Sequence, residues 1–415
     1  MCVSRGFKSR IGSSEFAKVQ LKESLKCNFS LKDSLINSSN LFVLVGKHCD
    51  SGTSFYTLSI ASLCSGSIAP RELKNPVKSA DCVTTILGSC HGLLLMTNNT
   101  SSNTISYDMP LNNPNRDLSL WNPSTGYHRE IPLHESKNGN RFCMGIGYDL
   151  LLNDYKVVRI GPYPRPVEMF SLKQNTWRAI GQLMFQPVGR GTYLNGKLHW
   201  TAKHTFESCK NYESSLKNPN ERITMRARHE PRVIVAIDLG MDTLNVQLIQ
   251  APPSIEKSSK MFLTVLGGTL CAILFHPFKK VRETWVMKEY GVEDSWKMIM
   301  AVEAAEEASR GDSYGYRMPL PVPLAYSENK DDILFDHHGQ MFIWASKIEG
   351  ELRFDKRILN TQVFPSTGCE VYMGSLVPYT SEEDKENHHS DEPKEEGEDK
   401  DCSLREGKES YYRSD

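Results

Sequence analysis

The sequence predicts an all-β protein, and three observations carry this prediction. Short runs rich in Val, Ile, Leu, Phe, Tyr and Thr recur from residue 41 to residue 376, separated by Gly, Ser, Asn and Pro. Asn-Gly and Gly-Gly pairs, which tolerate the positive φ angles of tight hairpins, stand inside several of these runs. No long helical pattern alternates with the runs, which argues against a parallel α/β fold.

The first predicted element is a helix over residues 13–26, SSEFAKVQLKESLK. Ser13 or Ser14 can cap its first turn by accepting hydrogen bonds from backbone N–H groups. Phe16, Ala17 and Val19 supply a short apolar face at helical spacing.

The strand pattern begins after this helix and continues through most of the chain. The predicted strands are the runs 41–46, 54–63, 82–90, 92–97, 144–149, 155–160, 167–172, 192–200, 232–239, 261–275, 284–290, 332–346 and 369–376.

A Gly-centred hairpin unit recurs irregularly along these strands, at residues 88–94, 195–196, 267–268 and 336–339. Weak repetition of this kind predicts a degenerate β-propeller with six to eight blades. A pair of β-sandwiches is the alternative. It explains less well why such hairpins are followed by an aromatic residue, as at Trp200 and Trp344.

Three segments interrupt or follow the strands. Residues 203–231 are polar and predict a long exposed loop, and residues 301–318 predict a short surface helix that ends at Gly311. Residues 381–415 hold 14 Asp and Glu against 6 Lys and Arg, with few aliphatic residues, so they predict an acidic disordered tail. The three predicted regions are residues 1–26, 40–380 and 381–415.

Composition narrows the function classes. The formal charge is −1 and the mean hydropathy is −0.43, and residues 1–380 show no basic run interleaved with aromatics, which disfavours nucleic-acid binding. The 11 cysteines include no Cys-x-x-Cys pair, which disfavours structural zinc. Neither a secretory h-region nor a run of 18 apolar residues occurs, so we expect a cytoplasmic or nuclear protein that is neither secreted nor bound to a membrane.

Several short motifs together carry a family resemblance. In order along the chain they are Trp121-Asn122-Pro123, Gly145-Ile146-Gly147-Tyr148-Asp149, Asp154-Tyr155-Lys156, Asn195-Gly196 with His199-Trp200, and Trp285 with Tyr290-Gly291 and Trp296. In this order and spacing the sequence resembles the F-box-associated domain of plant F-box proteins, including the S-locus F-box-like and F-box-kelch-like groups. The resemblance implies a β-propeller-like domain over residues 40–380, in which these residues are structural.

The N-terminus resembles the second half of an F-box, a helical motif that binds a Skp-type adaptor. Cys2, Val3, Phe7 and Ile11 occupy the apolar positions of that half, and they are the candidate adaptor-binding residues. The first half is missing because the sequence begins at Met1. We therefore expect a weakened contact with the adaptor.

The resemblance implies a substrate-recognition subunit of an SCF-type ubiquitin ligase, with a Skp-type adaptor and a cullin scaffold as partners and an unidentified protein as target. The variable segments 203–231 and 309–330 are the expected target-binding loops. One alternative is a binding module that has lost the adaptor. The other is an enzyme on a propeller scaffold, which would need clustered carboxylates or Tyr/His metal ligands. No catalytic, cofactor-binding or metal-binding motif occurs in the sequence, so we expect no enzymatic role.

Overall fold

The computed structural model describes only part of the chain. The described residues are 41–49, 51–64, 70–80, 82–99, 111–112, 118–133, 141–162, 164–203, 232–256, 259–303, 322–327, 332–337, 341–348, 351–360 and 366–374. All of them belong to one compact unit, Met1–Tyr379. The predicted helix at 13–26, the F-box half and the acidic tail lie outside the described residues.

The described strands form six antiparallel sheets, and each sheet is one blade of a β-propeller. Blade 1 contains β1 (Leu41–Cys49), β2 (Gly52–Ser59), β3 (Arg71–Leu73) and β25 (Ser366–Met373). Blade 2 contains β4 (Val83–Cys90), β5 (Leu93–Asn99), β7 (Leu118–Trp121) and β8 (His128–Glu130). Blade 3 contains β6 (Leu111–Asn112), β9 (Arg141–Asp149), β10 (Asp154–Ile160), β11 (Pro166–Ser171) and β12 (Thr176–Gln182).

The other three blades follow in chain order. Blade 4 contains β13 (Gln186–Leu194), β14 (Lys197–Lys203), β15 (Arg232–Asp238) and β16 (Val246–Gln250). Blade 5 contains β17 (Lys260–Leu266), β18 (Thr269–His276), β19 (Val281–Met287) and β20 (Trp296–Glu303). Blade 6 contains β21 (Val322–Tyr326), β22 (Asp332–His337), β23 (Met341–Ile348) and β24 (Glu351–Asn360). In the described part of the chain, helix is limited to α1 (Ile60–Cys64) and a 3-10 turn (Glu293–Ser295).

Strands from both ends of the chain close the ring at blade 1. β25 is the inner strand of this blade and pairs with β1, so that Leu41 lies opposite Met373. The inner strands β25, β4, β9, β13, β17 and β21 contact one another in that order. Antiparallel propellers protect their sheet edges in this way, because each inner strand is covered by the neighbouring blades.

The hydrophobic core is divided among the blade interfaces. Each of the six core clusters within the described residues joins two neighbouring blades, from blades 1 and 2 round to blades 6 and 1. Between blades 3 and 4, for example, Val158 and Val167 pack with Leu198, Trp200 and Val235. The continuous burial along strands such as β10 and β18 follows from this arrangement, because a sheet between two neighbouring blades buries both of its faces.

The all-β propeller with six to eight blades is confirmed, with six blades, but three local predictions were wrong. The run 54–63 is a strand only as far as Ser59, after which α1 turns Ile60 and Leu63 into the core between blades 6 and 1. Residues 301–303 belong to β20 and pair with β19. This strand pairing overrides their helix propensity. Residues 322–326, within the segment 309–330 predicted as a loop, form β21.

Candidate protein-binding site

The two faces of the propeller carry different connections. On one face, which we call the signature face, lie the connections between the first and second and between the third and fourth strands of each blade. Its described connections are residues 60–64, 91–92, 122–127, 150–153, 172–175, 195–196, 239–245, 267–268, 288–295 and 327. On the opposite face, the loop face, the described connecting residues fall within 51, 74–82, 131–133, 161–165, 183–185, 251–259 and 277–280.

On the signature face, the turn between β9 and β10 is organised by a buried carboxylate. Asp149 Oδ1 accepts hydrogen bonds from the backbone N–H groups of Leu151 at 2.9 Å and Leu152 at 3.1 Å. Its Oδ2 pairs with Lys156 Nζ at 2.7 Å, and both side chains are buried. Lys156 also donates to the carbonyl of Leu239 in blade 4, at 3.0 Å. Asp149 of the Gly-Ile-Gly-Tyr-Asp motif and Lys156 of the Asp-Tyr-Lys motif therefore build this turn and attach it to the next blade.

The glycines of the Gly-Ile-Gly-Tyr-Asp motif leave room for the neighbouring blade. A Cβ atom on Gly145 would lie 2.9 Å from the Cα of Gly191 and 3.3 Å from the Trp200 ring. A Cβ atom on Gly147 would lie 2.7 Å from the ring of Tyr193. Because real Cβ atoms do not approach so closely, these positions require glycine for close packing of β9 on β13.

His199 joins blades 4 and 5. Its Nδ1 lies 3.1 Å from the carbonyl oxygen of Thr192, and its Nε2 lies 2.6 Å from the hydroxyl of Tyr290. A neutral ring that donates to the carbonyl and accepts from the hydroxyl satisfies both contacts. Burial lowers the pKa of His199 to about 4 and raises the pKa of Tyr290 to about 12. Both ring nitrogens are occupied by structural partners, so His199 has no free nitrogen for catalysis.

The remaining motif residues support turns and blade interfaces of the same face. Asn122 is fully buried, and its Oδ1 accepts from the backbone N–H of Ser124 at 2.9 Å. Trp296 donates from its ring nitrogen to the carbonyl of Gln250 in blade 4, at 3.0 Å. Asn195 and Gly196 take positive φ angles of 50° and 76° in the β13–β14 hairpin. Five further motif residues are buried: Trp121, Pro123, Asp154, Tyr155 and Trp200. Gly291 has a positive φ of 82°.

The loop face is where the long connections of the propeller begin and end. Lys203, at the end of β14, lies opposite Arg232, at the start of β15, so both ends of the segment 204–231 are at this face. Glu303, the last residue of β20, pairs with Val281, and Val322, the first residue of β21, pairs with Asp336. Both ends of the segment 304–321 are therefore also at the loop face. These two segments, which contain most of the predicted target-binding loops, lie outside the described residues.

The chain enters the propeller on the other side. β1 begins at Leu41 and β25 ends at Met373, next to each other at the signature face. Any segment that precedes Leu41 therefore joins the propeller at the face opposite to the long connections.

A β-hairpin on the loop face is held by a buried polar network. His276, at the end of β18, contacts the Ser259 hydroxyl through Nδ1 at 2.8 Å and Glu283 Oε2 through Nε2 at 3.3 Å. Glu283 accepts further hydrogen bonds from the Ser254 hydroxyl and from the Trp285 ring nitrogen. Burial pushes the pKa of Glu283 up, but these hydrogen bonds outweigh it and the pKa lies below its usual value. Ser259 is fully buried, so the Ser-His-Glu contact is structural and its hydroxyl is closed to substrates.

The comparisons with known proteins agree with this geometry. The sequence matches the F-box associated beta propeller domain family over residues 51–378. The chain belongs to this family. The F-box protein CPR1 of Arabidopsis thaliana is 26% identical over 357 residues, which cover 78% of this chain and 73% of that protein.

Two further Arabidopsis thaliana relatives match over a shorter range. F-box protein At4g22390 is 27% identical and F-box/kelch-repeat protein At3g23880 is 23% identical, over 53% and 52% of this chain. The alignments cover 55% and 52% of those proteins, so the chain spans about half their length. The predicted family, an F-box-associated propeller, is confirmed.

The structure brings the motif residues of this F-box-associated propeller together on the signature face and in the neighbouring blade interfaces. The candidate adaptor-binding residues Cys2, Val3, Phe7 and Ile11 lie outside the described residues, so their role stays a prediction. Among the described residues no group of three or more His, Cys, Asp or Glu side chains is placed to hold a metal ion. A search of the same residues finds no helix that is long and apolar enough to cross a membrane.

Sequence reasoning missed the partly buried His91 and the buried Arg159. The ring of His91 meets the rings of Tyr148 and Tyr193 edge-on at 5.2 and 5.4 Å, and burial lowers its pKa to about 4. Arg159 is buried, pairs with Glu168 and stacks its guanidinium 4.9 Å from the Trp177 ring. The only available signal was the His-Gly pair in a predicted hairpin. The aromatic partners of His91 come from blades 3 and 4, and the pair of Arg159 with Glu168 depends on the register of β10 and β11.

Proposed function

We propose that this F-box-associated propeller is the target-binding part of a substrate-recognition subunit of an SCF-type ubiquitin ligase. The observation that carries the proposal is the separation of the two faces. The chain enters at the signature face, where an N-terminal F-box would be attached, and the long connections begin and end at the loop face. Family membership and relatives named as F-box proteins support the same role.

In this proposal the chain contributes proximity and orientation, and catalysis belongs to its partners. A Skp-type adaptor and a cullin scaffold bind on the side of the N-terminus, and the target protein binds the loop face. Holding the target in one orientation raises its effective concentration at the ligase, which is how a non-catalytic subunit accelerates a transfer reaction.

We also propose that the protein acts in the cytoplasm or nucleus. Cys82, Cys90, Cys143 and Cys271 are free thiols, as expected in a reducing compartment. Burial raises the pKa of Cys90 and of Cys271, which keeps both thiols protonated and unreactive. Microscopy of a fluorescently tagged full chain tests this assignment, and accumulation in the secretory pathway would contradict it.

The first test of the ligase role is binding of the purified full chain to a purified Skp-type adaptor, measured by co-precipitation. A fusion that carries the first half of an F-box in front of Met1 serves as the positive control. Binding by the chain itself supports the proposal, and we expect the substitution Phe7→Asp to abolish it. Phe278→Ser, at an exposed position on the opposite loop face, is the matched control and should leave adaptor binding unchanged.

The alternative is a binding module that has lost its adaptor. If only the fusion binds, this alternative is favoured and target recognition is retained without delivery to the ligase. If neither form binds, the assignment of a ligase role to this chain is wrong.

A further inference from the structure

One aromatic side chain projects from the loop face into solvent. Phe278 is 85% exposed, the highest fraction among the large apolar side chains that the structure describes. It occupies the tip of the β18–β19 hairpin, in the turn Pro277-Phe278-Lys279-Lys280. An exposed phenylalanine contributes nothing to the core, and leaving it in water forgoes the free energy of its burial.

The hairpin that carries Phe278 is held firmly. At its base, His276 is buried and contacts Ser259 and Glu283, as described above. Near its tip, Lys279 Nζ pairs with Glu256 Oε1 at 2.5 Å, which connects the turn to the segment that precedes β17. The buried contacts at the base hold the backbone of the hairpin in place, so little backbone ordering is required when a partner binds.

The turn also keeps an unfavourable backbone conformation. Lys280 has a φ of 53°, a region that glycine and asparagine tolerate better than lysine. On the signature face, Asn153, Asn175 and Asn195 occupy the corresponding left-handed positions. On the loop face, the left-handed non-glycine residues among those described are the cations Arg165 and Lys280. A retained backbone strain that places a charge at an exposed tip is a feature of binding sites.

The described connections of the two faces also differ in charge, and those of the loop face are the more basic. The described connections of the loop face carry five Lys or Arg residues and one Glu, whereas those of the signature face carry two Lys and four Asp or Glu. The basic residues of the loop face are Lys74, Lys78, Arg165, Lys279 and Lys280. The described connections of the loop face therefore favour an acidic partner over a basic one.

We propose that the Phe278 hairpin is the anchor of target binding, and that the target is a folded protein whose surface has an apolar pocket rimmed by Asp and Glu. The inference rests on the proposed function only in assigning the loop face to the target. Phe278 enters the pocket, and Lys280, two residues further along the same turn, meets the acidic rim. Aromatic side chains are enriched in the desolvated core of protein interfaces, and charged side chains belong to the polar rim around it.

Site-specific crosslinking in the full chain tests this proposal. Phe278 is replaced by the photoreactive residue p-benzoyl-phenylalanine, and Leu151, on the opposite face, is replaced in the same way as a control. After irradiation in plant cells, proteins crosslinked at position 278 and not at position 151 are identified by mass spectrometry and purified. Their dissociation constants are then measured with the unmodified chain and with Phe278→Ala and Lys280→Gly.

We expect Phe278→Ala to weaken binding at least about tenfold without changing the melting temperature, because the side chain is exposed. Lys280→Gly relieves the left-handed strain, so it should preserve or raise stability and still weaken binding. Binding of the unmodified chain should also weaken as salt is added.

The proposal is overturned if no protein crosslinks specifically at position 278, or if Phe278→Ala weakens the binding of the purified partner by less than about tenfold. Failure of the ligase role gives a different result. A partner that depends on Phe278 but is not ubiquitinated in the presence of the adaptor supports the anchor and contradicts the proposed function. Ubiquitination that survives Phe278→Ala supports the proposed function and contradicts the anchor.

Discussion

At the scale of single residues, glycine determines how closely neighbouring blades approach. Gly145 of β9 and Gly191 of β13 face each other, and a Cβ atom on either would come within 3.0 Å of the other's Cα. Gly88 of β4 is also on an inner strand, but its nearest neighbours would lie at 3.6 Å from a Cβ, an ordinary van der Waals distance. The same residue type therefore has different roles at similar places in the ring.

This difference gives a prediction for two alanine substitutions. Gly145→Ala should lower the free energy of unfolding by about 1–3 kcal/mol, because the new methyl group meets backbone that has no room to move. Gly88→Ala, the control, should stay within about 1 kcal/mol of the parent chain. Urea unfolding measures both, and equal effects at the two positions would contradict the packing argument.

A second prediction at this scale concerns pH. The pKa of His199 is lowered to about 4 in the folded protein, whereas an unfolded histidine titrates near 6.5. The stability that the neutral ring contributes is therefore fully present above pH 6.5 and is lost as the pH falls towards 4, by up to about 3 kcal/mol. His91 has a shift in the same direction, so it adds to the acid sensitivity.

The measurement is the free energy of unfolding between pH 8 and pH 4 for the parent chain and for His199→Gln. We expect the variant to be less stable at pH 8 and to show a flatter decline with acid. Tyr290→Phe, which removes the hydroxyl at His199 Nε2, should lower stability by about 1 kcal/mol and keep the decline. An unchanged slope in His199→Gln would show that His199 does not titrate as described.

At the scale of elements, the β9–β10 turn depends on a buried ion pair. Lys156→Met should lower the free energy of unfolding by about 3–5 kcal/mol, because Asp149 would keep a buried charge without its cation. The double change Lys156→Met with Asp149→Asn should cost less than the sum of the two single changes, since it removes both charges. A double-mutant cycle by chemical denaturation measures the coupling, and additive effects would mean that the pair contributes no coupling.

Elements that are marked by a short sequence motif, such as a turn dipeptide, were predictable from the sequence. Elements that carry no such motif were missed. The hairpins at Asn195-Gly196 and Gly267-Gly268 follow from dipeptides that accept positive φ, and the structure has both. The helix α1 was read as strand because five residues are too few to show a helical period. Gly191 lies in the middle of β13 with no turn signal, and its need for glycine is imposed by the Trp200 ring on β14 and by Gly145 of blade 3.

At the scale of the whole molecule, the ring depends on its last strand. A chain that ends at Asn360 lacks β25 and leaves β1 without its inner partner. We expect this truncated chain to lose cooperative thermal unfolding. A chain that ends at residue 380 is the control and should melt like the full chain, and cooperative melting of both would show that ring closure is dispensable.

More of the architecture than of the binding site could be predicted from the sequence. The all-β class and the family follow from turn dipeptides and from the motifs of the signature face, which are local in sequence. The number of blades could not be fixed, because the hairpin units recur at irregular intervals and the pairing of β25 with β1 is set by topology. The exposure of Phe278 was also hidden, because a phenylalanine beside strand residues reads as core until its surroundings are known.

The pairing of β25 with β1 also has a consequence during protein synthesis. The strands β1–β3 leave the ribosome early, but their partner is made roughly 300 residues later, about 15–60 s at about 5–20 residues per second. During that interval the inner edge of β1 is an unpaired strand edge, which can pair with a neighbouring nascent chain. A premature stop codon between β1 and β25 would make that exposure permanent. The shortened polypeptides should therefore aggregate and have no partial activity.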